Sequence, residues 1–202
     1  MFKFFLCCSA KNDPADCWAE FSIDSAASAE ISKVADVLCG ESKEQQADVK
    51  ISPPPSRGHH VTLLYGYRKS ESNKLMEIVK KHFDKPLILT AGEIIVGDVS
   101  PVILLRLKLP QELEELFWDS YKNVGQKKHT LIDGKYFPHI TVATYDKKDM
   151  GKINLEHVKD SLQGRQFTID TIFSYREDKD GNNILLDQYS HAVNAAKLTA
   201  KL

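Results

Sequence analysis

The chain has 202 residues, enough for one domain with a substantial hydrophobic core. Apolar residues make up 42% of it and charged residues 27%, a balance typical of globular proteins and not of disordered or membrane-spanning chains. The formal net charge of −1 disfavours a protein that coats nucleic acid through a broad basic surface. This charge does not exclude a small nucleotide or an RNA end as the ligand, since local basic loops would be enough to hold one. We expect no DNA partner and a monomer.

The first half of the chain predicts strands alternating with helices. Trp18–Ile23 is an apolar stretch typical of a strand, and Ser25–Cys39 has apolar residues at helical spacing, with Gly40 as the expected C-cap. Glu41–Gly58 is polar and contains three consecutive prolines, so we expect a connection without regular structure. The next predicted elements are a strand and a helix, His60–Tyr65 and Ser72–Phe83.

The second half predicts more strands than helices. Two β-branched stretches predict strands, Pro110 opens a helix, and a polar loop leads to a further strand. Asn154 is expected to cap a short helix that ends near Leu162, and a final hairpin turns around Asp180 and Gly181. The strands are expected at Leu87–Val96, Val102–Leu109, Phe137–Tyr145, Gln166–Tyr175 and Ile184–Gln188, and the loop at Gln126–Lys135.

This element order predicts an α+β fold with two pseudo-symmetric lobes, each an antiparallel sheet with outer helices, on either side of a central cleft. We place the folded domain at residues 17–190. A flexible N-terminal tail at 1–16 precedes it, and a C-terminal helix or tail at 191–202 follows it.

A short pattern occurs twice, once in each half of the chain. Residues 59–66 read HHVTLLYG and residues 137–144 read FPHITVAT, so that His60 and Thr62 recur as His139 and Thr141. Alternate side chains of a strand point to opposite faces, so each histidine shares a face with its threonine. Two such strands side by side would bring two imidazoles and two hydroxyls into one cleft, a set suited to acid–base chemistry on a phosphodiester without a metal.

One His-x-Thr alone indicates little, because a histidine in an apolar strand is usually a hydrogen-bonded structural residue. Two copies in apolar strand contexts are more specific. His59 should point away from His60 and have a structural role. No Gly-x-Ser-x-Gly pattern indicates a Ser/His/Asp triad.

The doubled motif resembles the signature of the two-histidine (2H) phosphoesterase superfamily, which carries one His-x-Thr/Ser strand in each lobe. That superfamily includes cyclic phosphodiesterases and 2′-5′ RNA ligase-like enzymes. The likeness extends to Cys17–Asp24, which resembles the opening strand of the family, and to Ile94–Leu109, which resembles the segment before the second motif.

The resemblance implies catalytic roles for the two histidines. His60 would be the acid on the leaving oxygen and His139 the base that activates water, with the roles exchanged if the substrate binds in reverse. Thr62 and Thr141 would donate hydrogen bonds to the phosphoryl oxygens. The reaction needs no metal and no cofactor.

Four further residues are candidates for substrate binding. Tyr145 and Phe137 have the strand parity of His139, and Tyr145 could stack on a base or touch phosphate. Tyr65 has the opposite parity to His60, although it lies at a strand end. Arg57 precedes the first motif and is a candidate phosphate contact.

The sequence leaves three functions open. The first is hydrolysis of 2′,3′-cyclic phosphates or ADP-ribose 1″,2″-cyclic phosphate. The second is cleavage of 2′-5′ oligoadenylates, cyclic oligonucleotides or RNA 3′ ends, for which binding should depend strongly on salt. The third is a catalytically weak nucleotide-binding module, anchored through Cys7 and Cys8.

All four cysteines lie near the N-terminus and form no Cys-x-x-Cys pair, so we expect no zinc site but reduced thiols in a cytoplasmic protein. The apolar part of MFKFFLCC is too short for a signal peptide. Cys7 and Cys8 are candidate palmitoylation sites, and membrane association is expected only through them.

Overall fold

The computed structural model describes residues 16–44, 49–54, 58–97, 100–124, 131–132 and 134–191. These residues form an α+β structure, which confirms the predicted fold class. Its helices are α1 (Ser25–Glu44), α2 (Ser72–His82) and α3 (Gln111–Asn123). Its strands are β1 (Cys17–Ser22), β2 (Ile51–Ser52), β3 (His60–Tyr67), β4 (Leu87–Val96), β5 (Val102–Lys108), β6 (Leu131–Ile132), β7 (Lys135–Tyr136), β8 (His139–Tyr145), β9 (Gln166–Ile169), β10 (Thr171–Glu177) and β11 (Asn183–Ser190).

Two antiparallel sheets form the body of the molecule. The first has four strands in the order β11-β10-β1-β3, and the second has five in the order β2-β8-β5-β4-β9. Strands β6 and β7 pair with each other as a separate hairpin. The first motif lies on β3 at the edge of one sheet, and the second lies on β8, next to the short edge strand β2 of the other sheet. Each lobe therefore carries one motif.

The helices pack against these sheets and enclose the hydrophobic core. Helix α1 contacts β8 and β2, α2 contacts β11 and α3, and α3 also contacts β3. Large side chains such as Phe21, Leu63, Phe83 and Phe117 are fully buried. Each contributes about 1.5–3 kcal/mol relative to an exposed position. This packing holds β3 and β8, and hence the two motifs, in a fixed arrangement.

The two helix-end predictions based on Gly40 and Asn154 are wrong. Helix α1 continues past Gly40 to Glu44, since a glycine inside a helix costs only about 1 kcal/mol relative to alanine. The segment after Asn154 forms successive turns instead of a helix. The carbonyl of Lys159 accepts a hydrogen bond from the backbone N–H of Ile94 on β4 at 2.8 Å, so it bonds to a strand and not within a helix.

Some strand predictions also need correction. The stretch Gln166–Tyr175 is not one strand: it divides at Asp170 into β9 of the second sheet and β10 of the first. The hairpin at Asp180–Gly181 is confirmed, and it joins β10 to β11. Short strands occur in both segments expected to be irregular, where β2 pairs with the end of β8 and β6 pairs with β7.

Residues 1–15 and 192–202 lie outside the described residues, so the tail, the terminal helix and the domain bounds of 17–190 stay predictions. Of the helices described, none combines the length and the apolar character needed to cross a membrane.

Candidate active site

The two motif strands have the same pattern of burial. In β3 and in β8 the first five residues alternate half-buried, buried, half-buried, buried, buried. The half-buried positions are His60 and Thr62 in one strand and His139 and Thr141 in the other. Each motif therefore presents its imidazole and hydroxyl at the boundary between core and solvent, as the sequence predicts.

A β-bulge follows the threonine in each motif strand. Thr62 pairs with Glu20 and Leu64 with Ala19, so Leu63 has no partner in the ladder. In β8 the residue after Thr141, Val142, likewise has no partner in the ladder. A bulge reverses the alternation of side chains beyond it. The same device therefore recurs at the same position of the two motifs.

These bulges reverse the strand parity of two tyrosines. Tyr145 has the parity of His139 in a regular strand, but beyond the bulge its side chain enters the hydrophobic core with 5% exposure, which leaves little of it for a substrate to contact. Tyr65 has the opposite parity in sequence, yet it pairs with Trp18 and its side chain is 40% exposed. Since Trp18 and Glu20 share a face of β1, Tyr65 lies on the face of Glu20 and Thr62.

Each motif histidine is anchored through Nδ1 to the carbonyl two residues earlier. Nδ1 of His60 lies 3.2 Å from the oxygen of Gly58, and Nδ1 of His139 lies 2.8 Å from the oxygen of Phe137. A carbonyl only accepts, so both Nδ1 atoms carry the proton, and Nε2 is the nitrogen available for chemistry. Gly58 has a φ of 79°, a conformation that favours glycine.

The surroundings of His139 favour its neutral form. Burial lowers the pKa of His139, the hydrogen bond to Phe137 opposes this shift, and positive charge on His60 lowers the pKa further. That last effect also means that the two imidazoles are near enough to interact electrostatically. A neutral His139 with its proton on Nδ1 has a free lone pair on Nε2, which is the state of a general base.

His59 joins the two lobes instead of entering the cleft. Its buried ring donates from Nδ1 to the carbonyl of Thr141 at 3.2 Å, and its Nε2 accepts from the hydroxyl of Ser32 at 3.2 Å. Burial lowers the pKa of His59, the hydrogen bond to Thr141 opposes the shift, and His60 adds to the lowering. These contacts agree with the structural role expected for His59.

Tyr136 makes the reciprocal connection, which the sequence did not indicate. Its hydroxyl donates to the carbonyl of Thr62 at 2.9 Å, and its ring stacks on Phe117 at 4.0 Å with a 5° angle between planes. Burial raises the pKa of Tyr136, so the hydroxyl keeps its proton. A side chain from each lobe thus holds the threonine carbonyl of the other.

Glu20 is a further cleft residue that sequence reasoning missed. It pairs with Thr62 across β1 and β3, its residue exposure is 6%, and one carboxylate oxygen accepts from the indole N–H of Trp18 at 2.9 Å. The same oxygen lies 3.5 Å from Nε2 of His60. The available signal was a lone charged residue inside the apolar strand CWAEFS.

Of the remaining predicted residues, Phe137 lies beside the second motif and Arg57 lies outside the described residues. Phe137 is half-buried, with its ring centroid 5.7 Å from that of His139. The guanidinium of Arg106 lies 5.2 Å from the centroid of the Phe137 ring, and Arg106 pairs with His139 across β5 and β8. Both residues border a cavity of about 600 Å³.

Among the described residues, no three His, Cys, Asp or Glu side chains come together as a metal-binding group.

Comparisons with known proteins find similarity of structure only. No protein-family model and no curated protein sequence matches the chain. Among solved structures, E. coli LigT bound to phosphate has 16% sequence identity and a TM-score of 0.56, covering 89% of this chain and 98% of LigT. Usb1 from Kluyveromyces marxianus has 11% identity and a TM-score of 0.54, covering 84% of this chain and 96% of Usb1.

A third similar structure is TT0787 of Thermus thermophilus, with 16% identity, a TM-score of 0.54 and coverage of 86% of this chain and 96% of that protein. These proteins belong to the 2H phosphoesterase superfamily. The chain therefore has the two-lobed fold of the 2H phosphoesterases, which confirms the fold implied by the doubled motif.

Proposed function

We propose that this protein is a 2H phosphoesterase that hydrolyses 2′,3′-cyclic phosphates, or the related ADP-ribose 1″,2″-cyclic phosphate, with His60 and His139 as its acid and base. The observation that carries the proposal is the repeated geometry of these two histidines. Each follows a carbonyl that fixes its proton on Nδ1, and each precedes a threonine and a bulge. A purely structural role does not explain why the histidine recurs with the same surroundings in both lobes.

The chemistry follows from these positions. Nε2 of His139 takes a proton from water as the water oxygen attacks phosphorus. The bond from phosphorus to the 3′-oxygen breaks, and Nε2–H of His60 protonates that oxygen, giving a 2′-phosphate. The hydroxyls of Thr62 and Thr141 donate to the phosphoryl oxygens as negative charge builds on them. No step needs a metal ion or a cofactor.

A small nucleotide is the preferred substrate class in this proposal. LigT, which shares the fold, has been crystallised with phosphate, with 3′-AMP and with ATP. Tyr65, exposed on the face of Thr62, and Phe137, beside His139, offer rings on which a base could stack. Both are proposed substrate contacts.

A longer substrate is the second candidate, and the cavity beside the second motif favours it. Arg106 and Lys108 border this cavity of about 600 Å³ together with Phe137, so a second nucleotide could lie there beyond the phosphate at His139. Glu93 and Asp160 also line the cavity, and Glu93 lies 3.7 Å from the guanidinium of Arg106, so a phosphate of a 2′-5′ oligoadenylate would have to compete with Glu93 for this cation, and its binding would depend on salt.

Product analysis tests the proposal. Wild type and the His60→Ala/His139→Ala double variant are incubated, with excess EDTA, with the four 2′,3′-cyclic mononucleotides, ADP-ribose 1″,2″-cyclic phosphate and 2′-5′ oligoadenylate, and products are resolved by phosphorus NMR. We expect turnover by the wild type alone, with the preferred substrate distinguishing the two candidates. Binding without turnover would contradict the proposal and favour a nucleotide-binding module.

A further inference from the structure

We infer that Arg106 is a specificity-determining residue that binds a second phosphate of the substrate, next to the phosphate that is cleaved. This inference rests on the proposed function and deepens it, because it distinguishes among the substrates proposed above. ADP-ribose 1″,2″-cyclic phosphate and 2′-5′ oligoadenylates carry further phosphates, whereas 2′,3′-cyclic mononucleotides carry only one. Arg106 favours the substrates with further phosphates.

The two lobes differ in the residue that faces each motif histidine from the neighbouring strand. Ser22 on β1 pairs with His60, whereas Arg106 on β5 pairs with His139. Paired residues of antiparallel strands share a face, so Arg106 and His139 project from the same face of the second sheet. The second motif therefore has a guanidinium beside it where the first motif has a short hydroxyl side chain.

Arg106 and His139 also start from closely spaced backbone positions. The N–H of Leu107 donates to the carbonyl of Pro138 at 3.1 Å, so this ladder hydrogen bond lies next to the pair and not within it. In such non-hydrogen-bonded pairs the Cα atoms are about 4.5 Å apart and the side chains are at their closest. The long side chain of Arg106 therefore reaches a group that adjoins a phosphate at His139.

The guanidinium lies next to the site without being locked in place. It is 5.2 Å from the centre of the Phe137 ring, which is 5.7 Å from the imidazole of His139. Its ion pair with Glu93 spans 3.7 Å, too long for an N–H···O hydrogen bond, and exposed ion pairs of this kind are weak. Glu93 also has the ammonium group of Lys159 at 3.6 Å, so its carboxylate keeps a cation when Arg106 turns to a phosphate.

The cavity beside Arg106 has room for the additional part of the substrate. It measures about 600 Å³, and Lys108 borders it from the same face of β5, two residues further along the strand. Opposite Arg106, a bulge in β4 places Gly92, where a Cβ atom would lie 3.7 Å from the Cβ of Arg106. Glycine leaves this wall without a side chain. Glu93 and Asp160 also border the cavity, so its anion-binding part is the wall formed by Arg106 and Lys108.

The first motif does not offer an equivalent place for a second phosphate. Glu20 pairs with Thr62, and one of its carboxylate oxygens lies 3.5 Å from Nε2 of His60. A carboxylate repels a phosphate, so the additional phosphate belongs on the side of Arg106. The substrate is oriented in this way, with the cleaved phosphate between the two motifs and the second phosphate beyond His139.

The kinetic test compares two substrates that differ by one phosphate. Adenosine 2′,3′-cyclic phosphate is assayed with and without a 5′-phosphate, in the wild type and in Arg106→Gln. We expect kcat/KM of the wild type to be about tenfold higher for the 5′-phosphorylated substrate, and this ratio to fall to about one in Arg106→Gln. Arg106→Lys keeps a cation and should retain part of the ratio.

Arg165→Gln is the matched control for this substitution. Arg165 also has an ion pair of 3.7 Å with a glutamate, Glu30, and its side chain is 63% exposed, close to the 54% of Arg106. It does not border the cavity. The ratio of kcat/KM for the two substrates should therefore be that of the wild type in Arg165→Gln, and an equal fall in both variants would contradict a specific role for Arg106.

A binding measurement separates this inference from the proposed function. Titration calorimetry at two salt concentrations gives Kd for adenosine 2′-phosphate, the product of the proposed reaction, and for adenosine 2′,5′-bisphosphate. We expect the wild type and Arg165→Gln to bind the bisphosphate about tenfold more tightly, with an advantage that shrinks as salt rises, and Arg106→Gln to bind both ligands equally. Equal binding by the wild type, or an advantage that survives in Arg106→Gln, would overturn the inference. The advantage without any turnover by the wild type would uphold the role of Arg106 while refuting the proposed function.

Discussion

His59 and Thr141 lie 82 positions apart in the chain, yet the Nδ1–H of His59 donates to the Thr141 carbonyl at 3.2 Å. Tyr136 returns the connection to the Thr62 carbonyl. Each contact fixes the backbone of a threonine that we place at the phosphate. Two hydrogen bonds, each from a residue close to one motif to the backbone of the other, therefore add to the core packing that holds the two motifs together.

Removing one of these connections should affect both stability and catalysis. Tyr136→Phe keeps the ring stacked on Phe117 but leaves the Thr62 carbonyl without this donor, so we expect a loss of about 1 kcal/mol in the free energy of unfolding. We also expect a lower kcat, because the cleft becomes less well ordered. Urea unfolding and steady-state kinetics measure the two effects.

Tyr189→Phe is the matched control for this variant, since Tyr189 lies on β11 with its ring against Phe83, outside both motifs. It should change the free energy of unfolding by less than about 0.5 kcal/mol. Equal effects of the two variants on stability and kcat would refute the linking role of Tyr136.

The buried His59 should make stability depend on pH. Its pKa is lowered in the folded state, chiefly by burial, so below about pH 6.5 the unfolded chain takes up a proton that the folded chain does not. Stability should therefore fall as the pH is lowered from about 7 to about 5. In His59→Gln this fall should be smaller, although the variant is less stable at neutral pH. Urea unfolding at both pH values gives the comparison, and equal falls would contradict it.

The two threonines should act on the transition state through their hydroxyls. Thr62→Val or Thr141→Val replaces the hydroxyl with a methyl group in a strand that tolerates β-branched residues, and we expect kcat to fall by about 10²-fold. Thr→Ser at either position keeps the hydroxyl and should retain most of the rate. Steady-state kinetics on the preferred cyclic phosphate distinguish these cases, and similar rates for the Val and Ser variants would argue against hydroxyl donation.

The pH dependence of the reaction should identify His139 as the base. A base must be neutral, and the pKa of His139 is lowered, with burial as the leading cause. The acid limb of the bell-shaped profile of kcat/KM should therefore be centred below about pH 6.5, the ordinary value for histidine. An acid limb centred above that value would contradict the assignment of His139.

The two motif strands show how much of this site the sequence predicts. The period of two places His60 with Thr62 and His139 with Thr141, and the half-buried positions of all four residues agree with it. The same rule fails for Tyr65 and Tyr145, because a bulge lies between each of them and its motif. A bulge of one residue leaves no mark in hydrophobic strand sequences such as these.

Contacts between distant segments were also beyond sequence reasoning. Nothing near Asn154 shows that the carbonyl of Lys159 bonds to Ile94 instead of continuing a helix. Likewise Glu20 is one charged residue in a strand, and only the pairing of β1 with β3 places it beside His60. Local patterns predict the elements, whereas these positions depend on how the sheets assemble.

The central claim is that His60 and His139 act as one catalytic unit, and single variants test it most directly. Turnover of a 2′,3′-cyclic mononucleotide is measured with excess EDTA for His60→Ala, His139→Ala, the double variant and the exposed control His157→Ala, after circular dichroism has shown each to be folded. We predict a loss of about 10²–10⁴-fold in each single variant, little further loss in the double, and wild-type activity in the control. Near-normal turnover in both single variants would contradict the account.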